Sequence, residues 1–369
     1  MGVELNPPAL DEIEISIFGP GYGESIAIHV CCGDWILIDS CIDQESKLPA
    51  PIAYFRKLGI DPEKAVRQVI ATHWHDDHVR GIADLLDKCK TAEFVLSGAL
   101  RTEEFFKVVM LGQKAYKSVS GPGTDEMSRV FEILKGRNKK KLASADKVLW
   151  KRTATAGSGE VPVEVWSLSP SDDSITRALA AIAFILPTEL APIRRVADLS
   201  PNHAAVVVWV KVGDQRILLG SDLEETNEGW TTILSSTTRP DGAASVFKIP
   251  HHGSKTAHHA DVWTKMLHTV SFAALTPFVR GSVRLPTQGD VTRITALSQN
   301  AFATASPVSR RKRRDPAVEK TIREIVKSIH TVPLSTGQVR FRRITSTESS
   351  VWEVSLINGA SKLSECLTG

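Results

Sequence analysis

The 369-residue chain predicts an α/β sandwich, with two β-rich layers packed face to face and helices outside. Two observations carry that prediction. Each half of the chain runs through strands first and helix second. In each half, polar residues collect where an apolar strand ends. Composition agrees, because 42% hydrophobic and 24% charged residues are ordinary for a chain that buries a sizeable core.

In the first half, Glu12-Ile-Glu-Ile-Ser-Ile-Phe18 alternates polar and apolar residues, the pattern of a half-buried strand. Gly19-Pro-Gly-Tyr-Gly23 breaks it. That glycine-rich stretch opens no helix in a βαβ unit, so it reads as a tight loop at a site mouth rather than a nucleotide cradle. Ser25–Val30 and Trp35–Asp39 are strands flanking a turn at Cys32-Gly33-Asp34, with His29 a structural residue of the first. A helix is expected over Pro51–Leu58 and a strand over Ala65–Ala71. Gly81–Cys89 sets Ile82, Leu85, Leu86 and Cys89 on one helical face.

From about 99 to 150 the character changes to a helical insertion, with helices at Glu103–Leu111 and Glu126–Lys135 and a basic run at 137–141. The second half resumes with a strand at Val161–Leu168 and a helical piece at Ser174–Leu186. A hairpin is expected from Ala204–Val212 and Arg216–Gly220, then strands at Val246–Ile249 and Phe272–Leu275. A helix begins near Pro286. Residues from about 307 form a C-terminal extension: a basic run at 310–314, an amphipathic helix Pro316–Ile329, and a hairpin from Gln338–Ile344 and Ser350–Ile357. The whole is read as a single domain carrying the insertion and the extension.

Several classes are set aside. No apolar run approaches the length of a membrane span, and Met1–Glu14 lacks the basic and apolar regions of a secretory signal. Five cysteines, odd in number and without CxxC spacing, fit free thiols in a reducing cytoplasm. A net charge of +3 is too slight to argue a polyanion partner by itself.

The chemistry concentrates at Thr72-His-Trp-His-Asp-Asp-His78. Three of the chain's eleven histidines fall within six positions there, with Asp76 and Asp77 between them. A strand emptying into imidazoles and carboxylates brings nitrogen and oxygen ligands to a borderline metal such as zinc. His73 and His75 project to one side of an extended backbone, while Asp77 and His78 can turn toward a second ion. Three further strand ends offer ligands: His203, Asp222 and His251/His252. A carboxylate such as Asp222 can bridge two cations at about 3.5–4 Å.

His73-x-His75-x-Asp77-His78 resembles the HxHxDH motif of the metallo-β-lactamase-fold hydrolases. Asp39 matches their early strand-end aspartate and Asp222 their bridging aspartate. Pro250-His-His-Gly-Ser-Lys255, with Leu218-Leu-Gly-Ser-Asp222 before it, looks most like the hydrolase domain of ComEC-type competence proteins. The resemblance covers roughly residues 12–300 and implies an αββα four-layer sandwich with two zinc ions, manganese being an alternative. His73 and His75 would bind the first ion, Asp77 and His78 the second, with Asp222 between. His251 aligns with the last ligand, leaving His252 as proton donor or substrate ligand; a one-residue shift of register exchanges the two. The family's GHTxG-like segment is missing. Between His78 and Asp222 the sole histidine is His203, which is assigned to the first ion, with Asn202 as the alternative match.

The resemblance implies a metal-dependent hydrolase in which the cations make water nucleophilic near neutral pH. Asp77, His252 and Lys255 are the catalytic candidates, and Ser254, Lys255 and Thr256 could hold a phosphate or simply cap a helix. ComEC-like features and the basic runs tilt the substrate to a phosphodiester or nucleic acid, through salt-sensitive phosphate attraction. One alternative is hydrolysis of a small ester, thioester, lactone or lactam. Another is a non-catalytic, metal-stabilised subunit that binds a partner or oligomerises through the insertion or the C-terminal helix.

Overall fold

Glu12–Gly19 forms β1, antiparallel to β2 (Ser25–Val30), which turns back into β3 (Trp35–Ile38). The computed structural model describes residues 5–100, 122–137, 139–156, 159–185, 201–306, 315–325, 335–345 and 351–367. After β3 the sheet continues in parallel through β4 (Val66–Ala71), β5 (Glu93–Ser97) and β6 (Lys140–Ala143). Helices α1 (Ala50–Leu58), α2 (Pro62–Ala65), α3 (Asp76–Val79), α4 (Ile82–Lys88) and α5 (Pro122–Lys135) fall between these strands. Trp35, Leu37 and Phe94 bury one face of the sheet against Phe55 of α1 and Leu85 of α4.

The second sheet starts with β7 (Lys147–Ala156) and β8 (Gly159–Ser167), followed by α6 (Asp172–Ile185). It proceeds through β9 (Val208–Val212), β10 (Gln215–Leu219), β11 (Ala244–Lys248) and β12 (Leu267–Leu275). Short helices α7 (Trp230–Ser235) and α8 (Ala260–Lys265) cover it. A two-stranded hairpin, β13 (Phe278–Arg280) and β14 (Val283–Leu285), stands apart from both sheets. Then come α9 (Gln288–Leu297), closed by a Thr287–Asp290 capping box, β15 (Ala301–Ala303) and α10 (Pro316–Ile325).

The chain ends by completing both sheets. β16 (Gly337–Ile344) pairs with β1 and with β17 (Glu353–Ile357), and β18 (Ser361–Lys362) pairs with β15. Among the described residues each sheet has eight strands, ordered β17-β16-β1-β2-β3-β4-β5-β6 and β18-β15-β12-β11-β10-β9-β8-β7. Ile13, Ile15 and Ile17 of β1 meet Val163, Val208 and Ile217 across the interface. Burying each such side chain contributes roughly 1.5–3 kcal/mol. Trp209, Leu218 and Phe247 face the other way, onto the outer helices. Two sheets between two helical layers make the αββα sandwich expected from the sequence.

Two boundaries differ from expectation. The segment read as a helical insertion ends in strands, β6 at the edge of the first sheet and β7 at the edge of the second. Lys140-Lys-Leu-Ala143 reads as a basic loop because edge strands carry lysine to discourage further pairing. The supposed C-terminal extension supplies inner strand β16. A Cβ at Gly337 would sit 1.6 Å from the Thr304 carbonyl oxygen, so only glycine lets β16 start there. The expected helix at Glu103–Leu111 and the basic run at 310–314 lie outside the described residues.

Candidate metal centre

β3 and β4 end side by side, and Asp39 organises the turn beyond them. Its carboxylate accepts from Thr72 N (2.8 Å), Thr72 Oγ1 (2.7 Å) and His78 Nδ1 (2.7 Å). Asp39 has φ +55°, a left-handed conformation that Asp tolerates better than most residues. In its neutral form, with the proton on Nδ1 facing Asp39, His78 would present a lone pair at Nε2, an orientation that outer carboxylates commonly impose on metal-binding imidazoles. The Thr72 hydroxyl, already donating to Asp39, accepts from His73 Nδ1 at 3.0 Å. That directs His73 Nε2 outward, 3.2 Å from His75 Nδ1. Burial holds the pKa of His73 well below its usual value and lowers that of His75. Two neutral nitrogens therefore converge on one point.

Beside this pair, Asp77, His78, Asp222 and His252 each offer a ligand atom within 4.8 Å of the others, all buried. His78 Nε2 lies 3.3 Å from Asp222 Oδ2 and 3.7 Å from Asp77 Oδ2. His252 Nε2 lies 3.1 Å from Asp77 Oδ2 and 3.4 Å from Asp222 Oδ2. The His252 ring is fixed by donation from Nδ1 to the Thr276 carbonyl at 2.9 Å. Burial opposes charge on His252, yet the Asp222 and Asp77 carboxylates outweigh it and raise its pKa to about 9. His78, also opposed by burial, is raised well above its usual value by Asp222, Asp39 and Asp77. The field that holds protons here would equally hold a cation. His78 Nε2 and Asp222 Oδ1 are buried without a hydrogen-bond partner. Buried polar atoms seldom stay unsatisfied, so the donor set fits a divalent metal with nitrogen and oxygen ligands.

The histidine register differs from the sequence expectation. His251 and His252 both have positive φ in the turn after β11, and that turn sends His252 into the group of four. His251 Nδ1 instead lies 3.1 Å from Glu224 Oε1. Glu224 also meets His203 Nε2 at 3.4 Å and Asn202 Nδ2 at 3.4 Å. His203, with 42% of its side chain exposed, and Asn202 thus gather around Glu224, and neither belongs to a metal-type group among the described residues. Glu224 was missed by sequence reasoning, although it stands two positions after Asp222 on the same strand end. Lys255 is exposed on the next turn, where Ser254 accepts from Thr256 N as a cap.

The Gly19–Gly23 loop does border the site. Gly21 O accepts from Val279 N at 2.8 Å, and Glu24 N donates to Asp77 O at 2.8 Å. From His252 an aromatic ledge runs through Phe278 (ring centroids 5.1 Å apart) to Tyr22 (5.4 Å). The guanidinium carbons of Arg80 and Arg280 sit 5.8 and 5.6 Å from the Tyr22 ring centre, within cation–π range. Arg280 also reaches the Tyr22 hydroxyl (3.2 Å) and Asp76 (3.9 Å). A cavity of about 110 Å³ opens against His73 and His203. The basic run 137–141 is elsewhere. Lys140 and Lys141 pair with Phe94 and Val95 at the start of parallel strand β5, whereas the site lies beyond the strands' carboxyl ends.

Residues 19–171 match the family model described as the metallo-beta-lactamase superfamily. No curated protein matches the chain. Among solved structures, one similar chain is MEM-A1, a subclass B3 metallo-β-lactamase from a soil metagenome library, with 14% identity, 68% of this chain and 82% of that one covered, and a TM-score of 0.32. Another is Zn(2+)-bound PqqB from Methylobacterium extorquens, with 14% identity, coverage of 61% and 58%, and a TM-score of 0.29. A putative metallo-β-lactamase from Thermotoga maritima has 16% identity, coverage of 56% and 68%, and a TM-score of 0.29. No helix among the described residues is long and apolar enough to cross a membrane. The match over residues 19–171 and the two sheets flanked by helices together give this chain the αββα sandwich fold of the metallo-β-lactamase superfamily.

Proposed function

We propose that the chain is a metal-dependent hydrolase of phosphodiester bonds. Asp77, His78, Asp222 and His252 would hold one cation, and His73 with His75 would form the arm of a second, with Asp222 between them. Zinc suits these imidazole and carboxylate donors, and manganese is the alternative. When bound, such cations supply the positive charge that polarises the scissile bond and makes water nucleophilic at neutral pH.

The observation that carries the phosphodiester reading is the pair of exposed guanidiniums on Tyr22, at the end of the ledge leading from His252. Arginine recognises phosphate oxygens through paired donors. In this reading Arg80 and Arg280 hold the diester anion at the rim of the site. His252 acts as a ligand in this reading, so proton donation is not assigned to it. Lys255 remains available to the departing group at the rim. Hydrolysis of a carboxylic ester or thioester is the second reading, and the cavity on the His73 flank supports it.

The test uses protein loaded with zinc or manganese. Bis-p-nitrophenyl phosphate, single- and double-stranded DNA and RNA are compared with p-nitrophenyl acetate and butyrate, on wild type and on His75→Ala/Asp77→Ala. Diester cleavage lowered at least about 100-fold in the variant, together with loss of bound metal, is expected. Intact phosphodiesters alongside cleaved carboxylic esters would replace the first reading with the second.

A further inference from the structure

The His73-flank cavity lies between α6 and two short turns, Gly98–Leu100 and Pro201–Ala204. Its walls are Trp74, Leu100, Ala178, Ala181, Ile182 and Pro201. The two serine hydroxyls on its lining are already engaged. Ser97 Oγ donates to Ala204 O at 2.8 Å, and the Ser174 hydroxyl is tied to Ser171 (3.1 Å) and to Glu228 O (3.3 Å). Arg177 pairs with Glu228 at the rim. Away from His73 and His203 an occupant therefore meets mostly hydrocarbon, and a nucleobase would leave polar groups of its edge without partners there, at a cost of roughly 1–3 kcal/mol per group. An apolar cavity of about 150 Å³ accommodates benzene. A volume of about 110 Å³ corresponds to an aliphatic group of about four or five carbons.

His73 forms part of the wall, so this group lies within a few bonds of the scissile centre. Arg80 and Arg280, which are not among the cavity's lining residues, stand instead where the Tyr22–Phe278 ledge from His252 ends. From these two features we infer that the substrate is a small anionic ester with one compact apolar substituent, seated in the α6 cavity, and not a polynucleotide. The inference rests on hydrolysis at the metal centre as proposed above, and it adds the identity of the group beside the bond.

A series of alkyl p-nitrophenyl phosphates, from methyl to octyl, tests it. Burial of each methylene raises kcat/KM by about fourfold, up to about four or five carbons, after which the gain stops. Calorimetric binding of the matching alkylphosphonates gives a readout independent of turnover, with the same dependence on chain length. Ala181→Phe fills the cavity and flattens both series. Ala178→Leu, at a partly exposed position, does so if the first variant fails to fold by circular dichroism. Rates and affinities that ignore chain length while bis-p-nitrophenyl phosphate is cleaved would overturn this inference and leave the proposed function standing. So would oligonucleotides cleaved faster than every small diester. Inert diesters, with p-nitrophenyl acyl esters showing the chain-length dependence, would overturn the phosphodiester reading and leave the cavity's role intact.

Discussion

Lys248 Nζ lies 2.7 Å from Glu24 Oε1, and both side chains are buried. The pair joins the end of β11 to the residue before β2, so it ties the second sheet to the first. It also stands next to the candidate metal centre, since the same ammonium donates to Ser221 O at 3.0 Å and lies 3.9 Å from Asp222 Oδ1. Thr276, whose carbonyl holds His252, donates its hydroxyl to Glu24. Removing one member of a buried pair leaves an uncompensated charge, which costs about 3–5 kcal/mol. Lys248→Met should lower unfolding stability in urea by that amount. Lys248→Met/Glu24→Gln should recover part of it. A loss under about 1 kcal/mol for the single variant would show that the pair does not hold the sheets together.

The positions of the two adjacent histidines make a direct prediction about metal content. His252→Ala should purify without the cation that the group of four would hold, while His251→Ala should retain it. Asp39→Asn replaces none of Asp77, His78, Asp222 and His252, but it weakens the grip on His78 and on the Thr72–His73 relay. Replacement of such an outer partner lowers metal affinity by about 10–100-fold. Competition with a chromogenic chelator measures this in each variant. Equal metal loss in His251→Ala and His252→Ala would contradict the geometry.

α5 is pinned to the histidine loop at its first turn. Gly123 N donates to Asp76 Oδ1, and Glu126 Oε2 accepts from Ala83 N at 3.2 Å. A Cβ on Gly123 would meet Trp74 O at 2.4 Å. Gly123→Ala should therefore displace the α5 start or the loop, lowering kcat/KM about tenfold with a loss of about 1–3 kcal/mol in stability. Steady-state kinetics and urea titration on the same preparation separate the two effects. Wild-type kinetics would mean that the loop is held without α5.

Much of the candidate site was legible because ligand chemistry at strand ends is local. His73, His75, Asp77 and His78 stand within six positions, and one strand delivers them all. Asp222 was equally readable at the end of β10. The choice between His251 and His252 was not, because it depends on two consecutive left-handed residues that no spacing rule specifies. Glu24 and Lys248 were readable only in part. A lysine inside the apolar run Val246-Phe-Lys-Ile249 signals a buried partner, but that partner is 224 positions away in sequence. Arg80, Arg280 and Tyr22 converge through the contact between the Gly19–Gly23 loop and the β13 hairpin, a relation set by packing alone. The sandwich emerged from strand periodicity, whereas β6 and β16 depended on neighbours distant in the chain.

His29 provides a stability switch remote from the chemistry. Its Nδ1 donates to Glu12 O at 2.7 Å, and its Nε2 accepts from Gly33 N at 2.9 Å, so the ring is neutral in the folded state. Burial lowers its pKa from 6.5 to about 4. Between those values the unfolded chain binds a proton that the folded chain does not. Stability from this group is thus fully present above pH 6.5, declines as pH falls toward about 4, and levels off below. The total is about 3 kcal/mol. His78 and His252 shift in the opposite direction, so wild type alone does not isolate the effect. His29→Gln keeps an acceptor for Gly33 N and cannot titrate. Urea unfolding of both proteins at pH 7, 5.5 and 4.5 should show wild type losing its advantage over the variant as pH falls, and a pH-independent difference would exclude His29 as the source.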